Sequence, residues 1–228
     1  MSATKRIGEL DQAQLSSFNE RRDRLCVTGF GLKSPFFDIQ PGVILSDSAI
    51  PLYDRPVVRE APSVVVIVWG IDHNGEMRLG MVKQKRPPAD DPRSPGDDHK
   101  PVTFVQVVMG YLDGDSIEKG AHREKAEELG AGDVMQFEIP ELPLMNVEPN
   151  MFATWHRIAF MRIDLKTVDS KHMVPEEFIS GVMYLPVRDV LRYIAIGWDE
   201  QGNSYREGHT LMILMIFFST HPELFPRP

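Results

Sequence analysis

The 228-residue chain has one cysteine, Cys26, which excludes an intrachain disulfide framework and any zinc site built on several thiolates. It has no apolar run long enough to span a bilayer; the longest, Leu211 to Phe218, suits a buried helix. Its first residues, MSATKRIGELDQAQ, lack the apolar core of a secretory signal. Positive charge is scarce as well: 25 Lys and Arg face 33 Asp and Glu, for a formal net charge of -8. A nucleic-acid binder must neutralise phosphates with a basic surface, which this chain does not have overall. These absences lead us to expect a cytoplasmic protein with neither a membrane nor a nucleic acid as its partner.

What is present suits a folded α/β enzyme. With 42% hydrophobic residues the chain is long enough for one sizeable core and a small appended element. Strong strand signals fall at Ser63 to Trp69, Met77 to Lys85, Val102 to Val108 and Trp155 to Ile163. Residues 87 to 101, PPADDPRSPGDDHKP, read as a loop because Pro, Asp and Gly dominate them. Residues 1 to 60 look like a separate piece, with a polar helix over Glu9 to Arg24 and then short strand-like runs punctuated by Pro35, Gly42, Pro51 and Pro56. No internal repeat is visible.

The sharpest chemical signal is GYLDGDSIEKGAHREKAEELGA, Gly110 to Ala131. Its spacing predicts a helix with Asp115 as the cap and Glu118 reaching back as capping-box partner, ended by Gly130 in a left-handed conformation. Ile117, Ala121 and Leu129 then share one arc, with Glu124 and Glu128 at its edge. Positions i, i+3 and i+4 lie on one face, so Glu124, Glu127 and Glu128 can converge. Carboxylates at the margin of a core are costly to desolvate without a cation. Arg123, four residues before Glu127, supplies one positive charge, and a hard divalent ion can supply the rest. A backbone carbonyl near Met109 would add a further oxygen ligand, a set suited to Mg²⁺ or Mn²⁺. Taken alone, an acidic helix of this kind is more often a plain solvated face.

The segment resembles the Nudix box. Arg123, Glu124, Glu127, Glu128 and Gly130 match its Arg-Glu, Glu-Glu and Gly positions in register. The chain departs from the pattern in three places: the loop after Gly110 is one residue short, Asp115 replaces a Glu, and Lys125 stands at an aliphatic position. Beyond the box, VVIVWGIDHNGEMRLGMVKQKRPP (Val65 to Pro88) resembles the strand pair that precedes the box in the ADP-ribose pyrophosphatase branch. NVEPNMFATWHRIAFMRIDL resembles the loop and strand that follow it, and YLPVRDVLRYIAIGWDE with GHTLMILMIFF resembles its closing helices. The likeness covers about residues 61 to 220.

The resemblance implies a Nudix-type α/β/α sandwich with a mixed sheet over residues 61 to 228, and an N-terminal extension over 1 to 60 through which members of the branch form homodimers. It implies metal-dependent hydrolysis of a nucleoside diphosphate linked to another group, with ADP-ribose giving AMP and ribose 5-phosphate. Glu124 and Glu128 would be the main metal ligands and Glu127 a third, with Arg123 orienting them and Gly110 beside the substrate. The branch carries a general base on the loop after the box, where this chain has Ala153, Thr154 and Trp155; Glu148 is the candidate, against an exposed loop glutamate with no chemistry. Lys85 and Arg86 are candidate phosphate clamps, against ordinary strand-end charges. Phe152 and Trp155 are read as core packing before base stacking, and His156 and His209 as structural. Two other classes remain open: a Nudix-fold regulator that binds a nucleotide sugar without cleaving it, and an interaction domain with an acidic helix. Metal-dependent product release separates the first reading from both.

Overall fold

A computed structural model describes residues 3–6, 32–33, 37–45, 51–90, 101–141, 144–146, 155–169 and 179–225, with side chains over 60–85, 102–141, 144–146, 155–169 and 179–225. The chain divides into two compact units: Met1–Ala61 with Asn146–Trp155, and Pro62–Met145 with His156–Pro228. The helix expected over Glu9 to Arg24 lies outside the described residues.

The first unit holds a four-stranded antiparallel sheet of β1 (Ala3–Arg6), β2 (Leu32–Lys33), β3 (Phe37–Leu45) and β4 (Pro51–Glu60). Of the prolines expected to break this region into short runs, Pro51 opens β4 and Pro56 lies inside it, and Pro35 lies outside the described residues. Pro41 stands opposite Pro56, where neither strand needs an N–H for the other. On the far side of β3, β1 pairs over 42–45 and β2 over 38–39, so Pro41 falls in the gap between them.

The second unit is mixed α/β. Its eight-stranded sheet contains β5 (Ser63–Ile71), β6 (Met77–Asp90), β7 (Pro101–Gln106), β8 (Val108–Tyr111), β9 (Val134–Glu138), β10 (Leu144–Met145), β11 (His156–Ile163) and β12 (Ile179–Pro186). Three α-helices accompany it among the described residues: α1 (Ile117–Leu129), α2 (Val187–Ile196) and α3 (Gly208–Thr220). None is long and apolar enough to cross a membrane. Strand β5 is central: it runs parallel to β11 and antiparallel to β6 and β8, and its sequence SVVVIVWG is buried throughout, as a strand covered on both faces must be. Val65, Ile67 and Trp69 pack on one face with Ile213, Leu214 and Phe217 of α3. Val64, Val66 and Val68 pack on the other with Ala121 and Leu129 of α1.

The sheet splits where the site lies. Strands β5 and β6 pair only over 68–71 and 77–80, next to their turn, and then diverge. β7 follows β6, and after a kink at Val107, β8 follows β5. The Val107 N–H, lost to the ladder at the kink, is taken by Thr210 Oγ1 of α3 at 3.1 Å.

Three sequence expectations need correcting. Residues 87 to 90 are strand, not loop: β6 runs on to Asp90, and the pairing jumps from Arg86 opposite Val102 to Asp90 opposite Pro101 because Pro87 and Pro88 have no N–H to give. The stretch Tyr184 to Pro186, expected in a closing helix, ends β12, since Pro186 stops the strand and precedes α2. The apolar run Leu211 to Phe218 is helical but not buried all round: Ile213, Leu214 and Phe217 face the core while Met215 is exposed.

Candidate functional site

Helix α1 positions the acidic residues, and its cap differs from the expectation. Ser116, not Asp115, is the N-cap, with Oγ accepting from Lys119 N–H at 3.2 Å. Asp115 is drawn off by cations: Lys119 Nζ lies 2.6 Å from its carboxylate and Arg123 Nε 3.5 Å. These contacts, that of Lys119 first, hold the Asp115 carboxyl below the usual carboxylate range against the opposing effect of desolvation. Gly130 ends the helix at φ 84° and ψ -171°, a positive-φ region beyond the left-handed helical basin that only glycine occupies readily.

Two of the three glutamates are buried deeply. Glu124 is 2% exposed and Glu128 1%, whereas Glu127 stands partly in solvent. Glu124 lies against the backbone of β8: a Cβ added to Gly110 would meet its carboxylate atoms at 1.9 to 2.5 Å. Glu128 accepts the Met109 N–H at 3.1 Å. The amide of Met109 thus meets the cluster. Arg123 donates to the Tyr111 carbonyl from one guanidinium nitrogen, and its other terminal nitrogen lies 2.6 Å from Glu124 and 3.5 Å from Glu127. The edge of β8 that faces away from β5 is therefore tied to side chains of α1.

The electrostatics are one-sided. Burial lowers the Arg123 pKa, but the carboxylates of Glu124, Glu127, Asp113 and Asp115 outweigh it and hold the pKa above its usual value. Among the described contacts, Arg123 and Lys119 are the cations that meet these carboxylates, and Glu128 lies beside them on the same helix. The donors are all oxygen, which hard divalent cations prefer, so Mg²⁺ or Mn²⁺ fits this residue set. In the geometry described, however, Glu124 and Glu127 share Arg123 and Glu128 turns to the strand. Among the described residues no three His, Cys, Asp or Glu side chains are gathered closely enough to hold a metal.

Lys125 neither snorkels to solvent nor pairs directly with a carboxylate. It is 3% exposed and donates from Nζ to the Gly132 carbonyl at 2.8 Å, in the turn after the helix. Desolvation lowers its pKa, and Asp133 offsets part of the effect.

Of the remaining expectations, Glu148 and Phe152 lie outside the described residues, as does the side chain of Arg86, whose backbone pairs with Val102. Lys85 is exposed on β6. Trp155 is 56% exposed, which excludes the core packing expected of it. His156 and His209, read as structural, both have polar partners. They join Ser63 and Glu207 in a hydrogen-bonded chain that sequence reasoning missed, because its members lie far apart along the chain and share no motif.

Two outcomes follow from this geometry. Gly110→Ala should destabilise the fold by about 1–3 kcal/mol, the usual cost of overpacking, and most of that loss should vanish in a Glu124→Ala background, where the clash has no second partner. A double-mutant cycle by urea unfolding measures the coupling. Lys125→Met should be more stable than the parent at pH 7, because water can serve the partly exposed Gly132 carbonyl while a buried cation is removed. The folded-state pKa of Lys125 is depressed, so the parent regains stability as pH rises from that pKa towards 10.5, and the gap should close over that window. A gap that stays constant to pH 10.5 would contradict this assignment.

No protein-family model matches the chain, and no curated protein matches its sequence.

Proposed function

We propose that the protein is a Nudix-type, metal-dependent pyrophosphatase acting on a nucleoside diphosphate linked to another group, with ADP-ribose or a related nucleotide sugar as substrate. The observation that carries this reading is the seating of Glu124 and Glu128, one helical turn apart and both buried, against the backbone of β8. An ordinary solvated acidic helix would leave such carboxylates in water. Glu124 and Glu128 would hold Mg²⁺ or Mn²⁺, with Glu127 as the third and more exposed ligand. When bound, the cation neutralises pyrophosphate oxygens and acidifies the attacking water. Arg123 fixes Glu124 and Glu127 relative to Tyr111 of β8, and Gly110 leaves the space that Glu124 needs. Arg86, whose backbone pairs with Val102 of β7, is assigned to the phosphates, and Glu148 to the general base.

The contacts of Arg123 also support a second reading, a protein of this fold that binds a nucleotide sugar without hydrolysing it. Glu124 and Glu127 are already neutralised in part by the guanidinium, and a regulator would have no need to release them.

A panel of nucleoside diphosphate sugars, dinucleotides and nucleoside triphosphates with Mg²⁺ or Mn²⁺, read by chromatography, decides between these readings. Hydrolysis should stop with a chelator. Glu124→Gln and Glu128→Gln should each lose more than the roughly 10–100-fold that loss of an outer-shell partner costs a metal site. Full turnover in either folded variant would end the hydrolase assignment, and ligand binding without metal-dependent turnover would favour the regulator.

We further propose that the protein is a homodimer formed through its first unit, whose strands of four, two, nine and ten residues are too few to bury a substantial core alone. Light scattering at micromolar concentration should give twice the 25.9 kDa chain mass. A mass of one chain would rule the dimer out.

A further inference from the structure

The sequence of α3, GHTLMILMIFFST, contains no Asp, Glu, Lys or Arg. A helix that lies on a core with its other face in water normally carries charge on that outer face. α2 packs on the same core and follows the rule, with Arg188 and Arg192 exposed. α3 turns Ile213, Leu214 and Phe217 to the core and leaves Met215 73% exposed, with half-buried Leu211 and Phe218 beside it one turn away on either side. Phe225, itself exposed, stands perpendicular to Phe218 with ring centroids 5.2 Å apart and prolongs this apolar face past the end of the helix. We propose that the face is a docking surface for α3 of a second copy of the chain, the two helices running antiparallel about a two-fold axis beside Met215.

The charges at its two ends identify the occupant. Arg206 is exposed just ahead of α3, and its guanidinium donates to the carbonyls of Ile194 at 3.4 Å and Ala195 at 3.1 Å. Glu223 is exposed in the turn Pro222–Leu224 that follows the helix. Among the described residues neither enters an ion pair. A face with a cation at one end, an anion at the other and apolar side chains between them is complementary to itself when reversed, as an isologous contact requires. A partner of one charge sign would find an opposite charge at only one end.

The axis beside Met215 brings the two Met215 side chains together and sets Leu211 across from Phe218 of the partner subunit. It also directs Arg206 towards the partner subunit's Glu223. Antiparallel order places the positive N-terminal end of each helix dipole near the negative C-terminal end of the other. Methionine, unbranched and polarisable, adapts readily to such a self-matched contact. The inference depends neither on the reaction of α1 nor on the pairing proposed for the first unit.

The full chain carrying Cys26→Ser and Met215→Cys has one thiol, and a nitroxide attached there tests the proposal. At micromolar concentration, electron paramagnetic resonance should show coupled spins within about 20 Å, roughly two helix diameters. Glu223→Arg puts like charges at both ends of the contact. In a dilution series it should weaken association about five-fold, the effect of losing two exposed ion pairs. Combining it with Arg206→Glu should restore the parent value; if the combined variant does not fold, the spin distance and Glu223→Arg decide. Labels with no second spin within that distance overturn the proposal, including a label immobilised by another part of its own chain or by a partner of another kind. So does coupling that Glu223→Arg leaves unchanged. A mass of two chains without coupling at residue 215 overturns the α3 contact and leaves the first-unit dimer standing.

Discussion

A carboxylate can lie against the backbone of a strand only where the strand presents no Cβ, and Gly110 meets that condition beneath Glu124. From this contact the arrangement of α1 follows. With Glu124 seated on β8, Glu128, one turn further, reaches the Met109 N–H, and Arg123 closes on the Tyr111 carbonyl and on Glu124 and Glu127. The helix is held to the strand by polar contacts at one margin and by Ala121 and Leu129 packed on Val64, Val66 and Val68 beneath it. Burying two carboxylates is unfavourable unless charge is returned, and the Arg123 guanidinium, shared among four acids, returns part of it. Two buried carboxylates one helical turn apart, with oxygen as their only donor, are the physical reason to propose a cation.

The sheet makes this margin available. If β5 and β6 stayed paired along their lengths, β8 would have no place beside β5. Because they diverge after the turn, β7 and β8 line the two arms of the split, and the kink at Val107 is stabilised from the opposite face by Thr210. α3 therefore acts in two places. Its Thr210 secures the kink, and its His209, with Glu207 ahead of it, joins Ser63 and His156 at the start of β5 and β11.

Much of the fold was legible because its signals are local. The apolar run of β5 and the periodicity of α1 each predict their element from neighbouring residues, and the cores of β5, β6 and β11 fell where expected. The cap was misplaced by one residue because Asp115 and Ser116 are both competent caps, and the choice was made by Lys119 and Arg123 drawing Asp115 aside. Prolines misled for a similar reason. Pro56, Pro87 and Pro88 read as strand breakers, yet each can lie in a strand wherever its missing N–H is not required by a neighbour, and only the sheet decides that. Burial of Glu124 and Glu128 was anticipated at the edge of the apolar arc. The engagement of Lys125 with Gly132 was not, since it depends on the path of the turn after the helix.

The central claim is that the buried acidic turn of α1 takes up a divalent cation. Titration of the full chain with Mn²⁺, followed by the loss of the free-ion electron paramagnetic resonance signal, tests it without presuming a substrate. The account requires saturable Mn²⁺ binding that is competed by Mg²⁺ and abolished in folded Glu124→Gln and Glu128→Gln. Absence of binding in the unaltered protein, or binding unchanged in both variants, would contradict it.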